Sequence, residues 1–236
     1  QNDCVAGEFV WTGFDYIGEP TPWNGTSSGS VTYNGAIPNS SYFGIVETTG
    51  FPKDTYYLYR SQWNKDSTTL HLVTAWDSDN MMTTYDGKTP VWIYSNAPKV
   101  ELYRNNVLIG TATRVEHTST AGHTYFTYET TSNQNSICTT STGSDAEGLY
   151  VVFNVAYEAG TISAKAYDEN DHLISDTVGS ASVSTPGAVS QLQVSVDKTA
   201  IDADGASLAY ITVDVTDANG NLDTTATNNI QFSLTG

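Results

Sequence analysis

Basic residues are scarce in this sequence: nine Lys plus Arg stand against 26 Asp plus Glu, a formal charge of −17 over 236 residues. A chain so short of cations has little electrostatic grip on a phosphate backbone or an anionic lipid surface, which argues against nucleic acid as a partner. Long apolar runs are missing too. No stretch approaches the ~20 apolar residues of a membrane span. No charged-then-apolar leader opens the chain at Gln1-Asn2-Asp3-Cys4 either, so any export signal is expected upstream or already removed. Cysteine is nearly absent. Cys4 and Cys138 lie far apart without metal-ligand spacing, leaving open either one disulfide or two buried free thiols. His71, His117, His123 and His172 are scattered, so neither a zinc site nor a histidine-based triad is signalled.

What fills the space instead is aromatic and neutral polar. The chain has 15 Tyr and 5 Trp while charged residues make up only 15%, and Thr, Ser, Asn and Gly occupy the polar positions. Extracellular β proteins and sugar-handling surfaces share this character, so a secreted or cell-surface location is expected. An apolar content of 39% supplies packed cores for one large or two to three small domains.

Three blocks emerge. Residues 1–68 contain an apolar burst, Phe9-Val10-Trp11, short enough for a fully buried strand. A long Gly/Pro/Ser/Asn-rich loop follows from Gly18 to Ser41. A helix is predicted next, with Pro52 in its first turn and a stripe of Tyr56, Tyr59 and Trp63. One strand and one helix cannot bury their own apolar faces, so other strands must complete this block.

Residues 69–185 change to short runs with turn signals between them, including Leu70-His71-Leu72-Val73, Val91-Trp92-Ile93-Tyr94 and Tyr150-Val151-Val152-Phe153. This pattern predicts an antiparallel β-sandwich, with hairpin turns at Asn105-Asn106 and Asp168-Glu169-Asn170-Asp171 and an exposed loop from Thr130 to Gly148. Ser184-Thr185-Pro186-Gly187 marks a boundary. Residues 186–236 then alternate at Leu192/Val194/Val196, Ile211/Val213/Val215 and Ile230/Phe232/Leu234, the start of an immunoglobulin-like module of which only part is expected in the chain.

The run Gly7-Glu8-Phe9-Val10-Trp11-Thr12-Gly13-Phe14-Asp15-Tyr16, continuing through Gly18-Glu19-Pro20-Thr21-Pro22 to Asn24, resembles the eighth strand and following loop of the catalytic barrel in glycoside hydrolase family 2. The resemblance is to its bacterial β-galactosidases in particular. It is extended by Ser41-Tyr42-Phe43-Gly44-Ile45 and by Gly50-Phe51-Pro52-Lys53-Asp54 through to Gln62-Trp63. Pro90-Val91-Trp92-Ile93-Tyr94 is similar to the family's following sandwich, and Asp197-Lys198 to Asn221 to an appended immunoglobulin-like module. The implied fold is mixed: the C-terminal strand-loop-helix portion of a (β/α)8 TIM barrel, then mainly antiparallel β-sandwich domains. The implied activity is hydrolysis of terminal β-D-galactosides with retention, and transfer of galactose to an acceptor sugar as well.

In barrel enzymes the reacting groups sit where strands end. The resemblance accordingly places Trp11 under the galactose ring, with a cis Trp11-Thr12 peptide, and Asp15, Glu19 and Trp23 around the sugar. Asp15 has a second reading, fixing loop amides; Glu19 has another as a loop anchor, and Trp23 another as packing against the sandwich. Retaining hydrolysis needs two carboxylates about 5 to 5.5 Å apart. Glu8 and Glu19 invite that pairing, but the family's acid/base and nucleophile both precede this sequence, so no catalytic residue is assigned here. No cofactor is required; a sodium or magnesium ion occurs in relatives, without ligands assignable in this chain. The partners expected are β-galactosides and the upstream remainder of the same enzyme, with neither nucleic acid nor membrane insertion.

Elsewhere, His71 and Trp76 are expected to cement the barrel-sandwich interface, Trp92 and Tyr94 form either a sugar patch or half-buried packing, and Asp202, Asp204, Asp214 and Asp217 are acids in turns lacking an EF-hand calcium loop. The competing reading of the whole chain is a carbohydrate-binding or cell-wall spacer module of an exported protein.

Overall fold

The computed structural model describes residues 7, 9–18, 40–79, 81, 87–130 and 148–233. Helix α1 (Asp54–Trp63) is followed by β1 (Thr68–Val73), β2 (Lys88–Ser95), β3 (Lys99–Arg104), β4 (Val107–Thr118), β5 (Thr124–Thr130), β6 (Val151–Ala156), β7 (Thr161–Tyr167), β8 (Leu173–Ile174), β9 (Thr177–Val178), β10 (Ser182–Ser184), β11 (Val189–Val196) and β12 (Ile211–Asp217).

The middle of the chain is the β-sandwich that the alternating pattern predicts. One sheet has the order β6-β2-β1-β9; the other has β10-β7-β3-β4-β5, with β8 on the side of β7. Pairing is antiparallel except between β1 and β9. Asn105 and Asn106 close the β3-β4 hairpin with φ of 49° and 65°, the left-handed pair that a tight turn between right-twisted strands demands. At the β7-β8 reversal the Asp168 carboxylate accepts from the amides of Asn170 and His172, both at 2.8 Å.

Leu70, Leu72, Val91, Ile93, Val151 and Phe153 of one sheet pack on Val100, Leu102, Phe126, Tyr128 and Ile162 of the other. A Cβ on Gly110 of β4 would lie 2.5 Å from the Phe153 ring, so the strand needs glycine there to let the phenyl ring in. Trp76 belongs to this core and not to an interface with a barrel. It is 1% exposed, its indole nitrogen donates to the Glu158 carbonyl at 3.0 Å, and its ring packs on Tyr157.

The first sheet is buried on both faces. While Leu70, Leu72, Val91 and Ile93 point into the sandwich, His71 and Tyr94 on the opposite face are also buried, under α1. Period-two alternation is correspondingly weak in β1 and β2, as in any strand covered on two sides.

Three expectations for the outer blocks are corrected. Phe9-Val10-Trp11 forms no buried strand: Phe9 is 99% exposed, and residues 7–18 make only isolated bridges, Phe14 to Val46 and Ile17 to Ser40. A lone strand has no neighbour to pair with, and the TIM-barrel portion of the expected fold is not seen among the described residues. Helix α1 begins after Lys53, and Pro52 instead bridges Val46. Of the Tyr56/Tyr59/Trp63 stripe, Trp63 is 65% exposed and Tyr56 and Tyr59 are half-buried, while Tyr57 meets the sheet at His71 and Ser61 is buried. Finally, β11 and β12 form a two-stranded antiparallel sheet, but Ile230 and Phe232 lie in no strand and Leu234 falls outside the described residues. A third strand forms only where an open edge accepts its hydrogen bonds. The Asp217 carboxylate joins this module to the linker, accepting from the amides of Gly187, Asn219 and Asn221 and from the Asn221 side chain.

Candidate functional site

The segment Thr12–Tyr16 is held by a second segment, Ser40–Val46. The Ile45 amide donates to the Thr12 carbonyl at 3.1 Å, Val46 to Gly13 at 3.0 Å, and Asp15 back to Val46 at 2.8 Å. The Ser41 amide donates to the Tyr16 carbonyl at 2.9 Å. Trp11 stands at the head of this ladder with 76% of its surface exposed, and its peptide bond to Thr12 is cis, as the resemblance implies.

Asp15 sits inside the ladder and is 8% exposed. Its Oδ1 accepts from the Gly44 amide at 2.8 Å and the Ser41 hydroxyl at 3.1 Å, and its Oδ2 is paired with Lys53. Burial alone would push this carboxyl up; the hydrogen bonds from Lys53, Gly44 and Ser41 overcome it and hold the group below its ordinary 3.8. Of the two sequence readings of Asp15, a sugar contact or a loop anchor, the observed partners are those of the anchor. Glu19, Trp23, Glu8, Cys4 and Cys138 lie outside the described residues.

The exposed residues around Trp11 are apolar to an unusual degree: Phe9, Phe14, Ile17 and Tyr42 are each more than half exposed. Large apolar surface gathered in one short region marks a contact face.

The helix is fastened to the sandwich from its other side. His71 of β1 meets Asp54 through Nε2 at 2.8 Å and accepts the Ser180 amide on Nδ1 at 3.1 Å. That second bond requires an unprotonated Nδ1 and so fixes the tautomer that donates to Asp54. Tyr57 stacks on the imidazole at 3.8 Å, and the Arg60 guanidinium donates to Thr69 and Ser67 at 2.7 and 2.6 Å. His71 is thus a three-way junction between α1, β1 and the chain at Ser180. His71→Ala strands the Ser180 amide and frees Asp54; a loss of about 1–3 kcal/mol is expected, read as a lowered unfolding midpoint together with faster exchange of the Ser180 amide.

Trp92 and Tyr94 lie on the same sheet face, where Tyr94 is 4% exposed and both rings meet Tyr150. Burial, with Asp54 and Tyr150 nearby, pushes the Tyr94 hydroxyl up to about 12. These aromatics are packing and offer no open sugar platform. Among the described residues no group of three or more His, Cys, Asp or Glu is placed to hold a metal, and no helix is long and apolar enough to cross a membrane.

Two family models match the chain: a domain of unknown function over residues 86–174, and the glycoside hydrolase family 2 C-terminal domain 5 over residues 192–236. A β-galactosidase, BoGH2A of Bacteroides ovatus, is 33% identical over all of this chain, which covers 22% of the relative's length. A glycosyl hydrolase family 2 member from Bacteroides cellulosilyticus superposes with a TM-score of 0.61 at 23% identity, over 92% of this chain and 26% of its own. The chain belongs to glycoside hydrolase family 2.

Within that family the relatives differ in what they are named for: a β-glucuronidase of Formosa agariphila is 24% identical over 82% of this chain and 16% of its own length. The chain spans less than a quarter of either curated relative. For a family 2 chain, Lys53 is the residue that sequence reasoning passed over. It lies 38 positions from Asp15, and the only available signal was a lone cation beside a helix start.

Proposed function

We propose that this chain is part of an exported bacterial retaining glycosidase of family 2 that hydrolyses terminal β-D-galactosides, and that also transfers galactose to acceptor sugars. In this reading residues 1–68 close a (β/α)8 barrel whose other strands lie in further polypeptide of the same enzyme. The observation that carries it is the exposed apolar surface of Phe9, Trp11, Phe14, Ile17 and Tyr42, which calls for a partner sheet, joined to similarity along the whole chain to a β-galactosidase. Trp11 forms the floor of the sugar site, its ring against the apolar C–H face of galactose, while Glu19 and Trp23 shape the acceptor side. The two carboxylates of the double displacement come from the rest of the enzyme, and this chain contributes substrate position and exclusion of water.

Within this segment the charge suits a neutral galactoside. No Lys or Arg precedes Lys53, and Lys53 is already neutralised by Asp15, so this segment offers no counter-ion to a uronate. Holding a carboxylate unpaired in a closed site costs several kcal/mol. The full-length enzyme is expected to cleave nitrophenyl β-D-galactoside with kcat/KM at least about a hundredfold above that for the β-D-glucuronide. A preference for the glucuronide would overturn the substrate assignment.

A further inference from the structure

We propose that Asp15 and Lys53 form a positioning clasp for Trp11, setting the height and tilt of the indole without touching the sugar. This rests on the reading of Trp11 as the sugar platform. The clasp is built from three pieces of chain. Asp15 lies four residues beyond Trp11 and is buried; Gly44 and Ser41 approach one carboxylate oxygen, and Lys53 neutralises the other. The Lys53 ammonium also donates to the Tyr42 carbonyl at 3.0 Å, and its own amide donates to the Ile45 carbonyl at 3.0 Å. Ile45 and Val46 in turn hold the carbonyls of Thr12 and Gly13, the two residues directly after Trp11.

The fit has no slack. A Cβ on Gly44 would lie 2.2 Å from the Asp15 nitrogen and 2.5 Å from the Phe14 carbonyl carbon, so the two segments approach more closely than any residue but glycine allows. Lys53 directly precedes α1, and Asp54 beside it is bonded to His71 in the sandwich. The position of the indole is thus referred through Lys53 and the helix to the four-stranded sheet. A buried carboxylate that has lost the Lys53 cation does not keep this geometry, because it must draw in water or a proton.

The alternative is that Asp15 binds sugar hydroxyls directly, and a double-mutant cycle in the full-length enzyme separates the two. Under the clasp, Asp15→Asn and Lys53→Met each lower kcat/KM by about tenfold to a hundredfold, the double variant is no worse than either single one, and Lys53→Arg restores most of the activity. Under direct contact, Asp15→Asn is costly, Lys53→Met is nearly silent and the effects multiply; that result overturns the clasp. The comparison uses whichever β-glycoside the wild type cleaves, so a wrong galactoside assignment does not disturb it.

A second readout needs no substrate. With 5-fluorotryptophan incorporated and the Trp11 resonance assigned from Trp11→Phe, Asp15→Asn and Lys53→Met must shift and broaden that resonance while the resonance of buried Trp76 stays in place. An unmoved Trp11 resonance refutes the proposal, and movement of Trp76 as well shows general misfolding and refutes it equally.

Discussion

Trp11→Ala in the full-length enzyme is expected to lower kcat/KM for nitrophenyl β-D-galactoside by roughly thirtyfold, with no change in the unfolding of the sandwich. The magnitude follows from removing an aromatic face that sugar would cover. Fully burying a large apolar side chain is worth about 1.5–3 kcal/mol, and about 2 kcal/mol withheld from the transition state is roughly a factor of thirty in rate. Stability is spared because the indole is 76% exposed and packs on none of the core. Trp11→Phe keeps a ring in place and should recover most of the loss. If the alanine variant matches wild type in kcat/KM, the tryptophan is not the sugar floor, whatever the glycoside.

The second large effect lies in the sandwich. Phe153 is fully buried, with its ring filling the space that Gly110 leaves open on the facing sheet. Truncation to alanine therefore leaves a cavity that rigid strands on both sides cannot close, and a loss of about 3–5 kcal/mol is expected. Urea unfolding followed by near-ultraviolet circular dichroism measures it. A change below about 1 kcal/mol would mean that the two sheets do not share the core described above. Filling from the other side, by Phe153→Ala together with Gly110→Ala, should return only part of the loss, because a methyl group replaces a phenyl ring.

The sandwich was legible because its physics is local. Alternation at Val100-Glu101-Leu102-Tyr103, the run Gly160 to Tyr167 and the Asn105-Asn106 turn each identify a strand or a reversal without knowledge of the rest. Edge strands β9 and β10 are two and three residues long, too short for any period to show. Trp76 was misplaced for the opposite reason: nearness in sequence to the helix suggested an interface, but the indole turns inward to the Glu158 carbonyl. The candidate site was half legible. A dense motif drew attention to Trp11 and Asp15, whereas the partners of Asp15 arrive from Ser41, Gly44 and Lys53, and no spacing rule connects a carboxylate to an ammonium across a long polar loop. The helix stripe is visible in the spacing of Tyr56, Tyr59 and Trp63, but which side of the helix meets a neighbour is not. Tyr57, not Tyr56, meets His71.

Because α1 is bolted to β1 through His71 and Arg60, any exchange of modules between related glycosidases has an awkward seam at residues 64–67, and a second seam lies at residues 185–187. A chimaera cut at the first seam would need to bring the donor's own helix along with its sandwich. One cut at the second must keep the bonds of Thr185 to Gly160 and Tyr157 as well as the tether from Asp217 to Gly187.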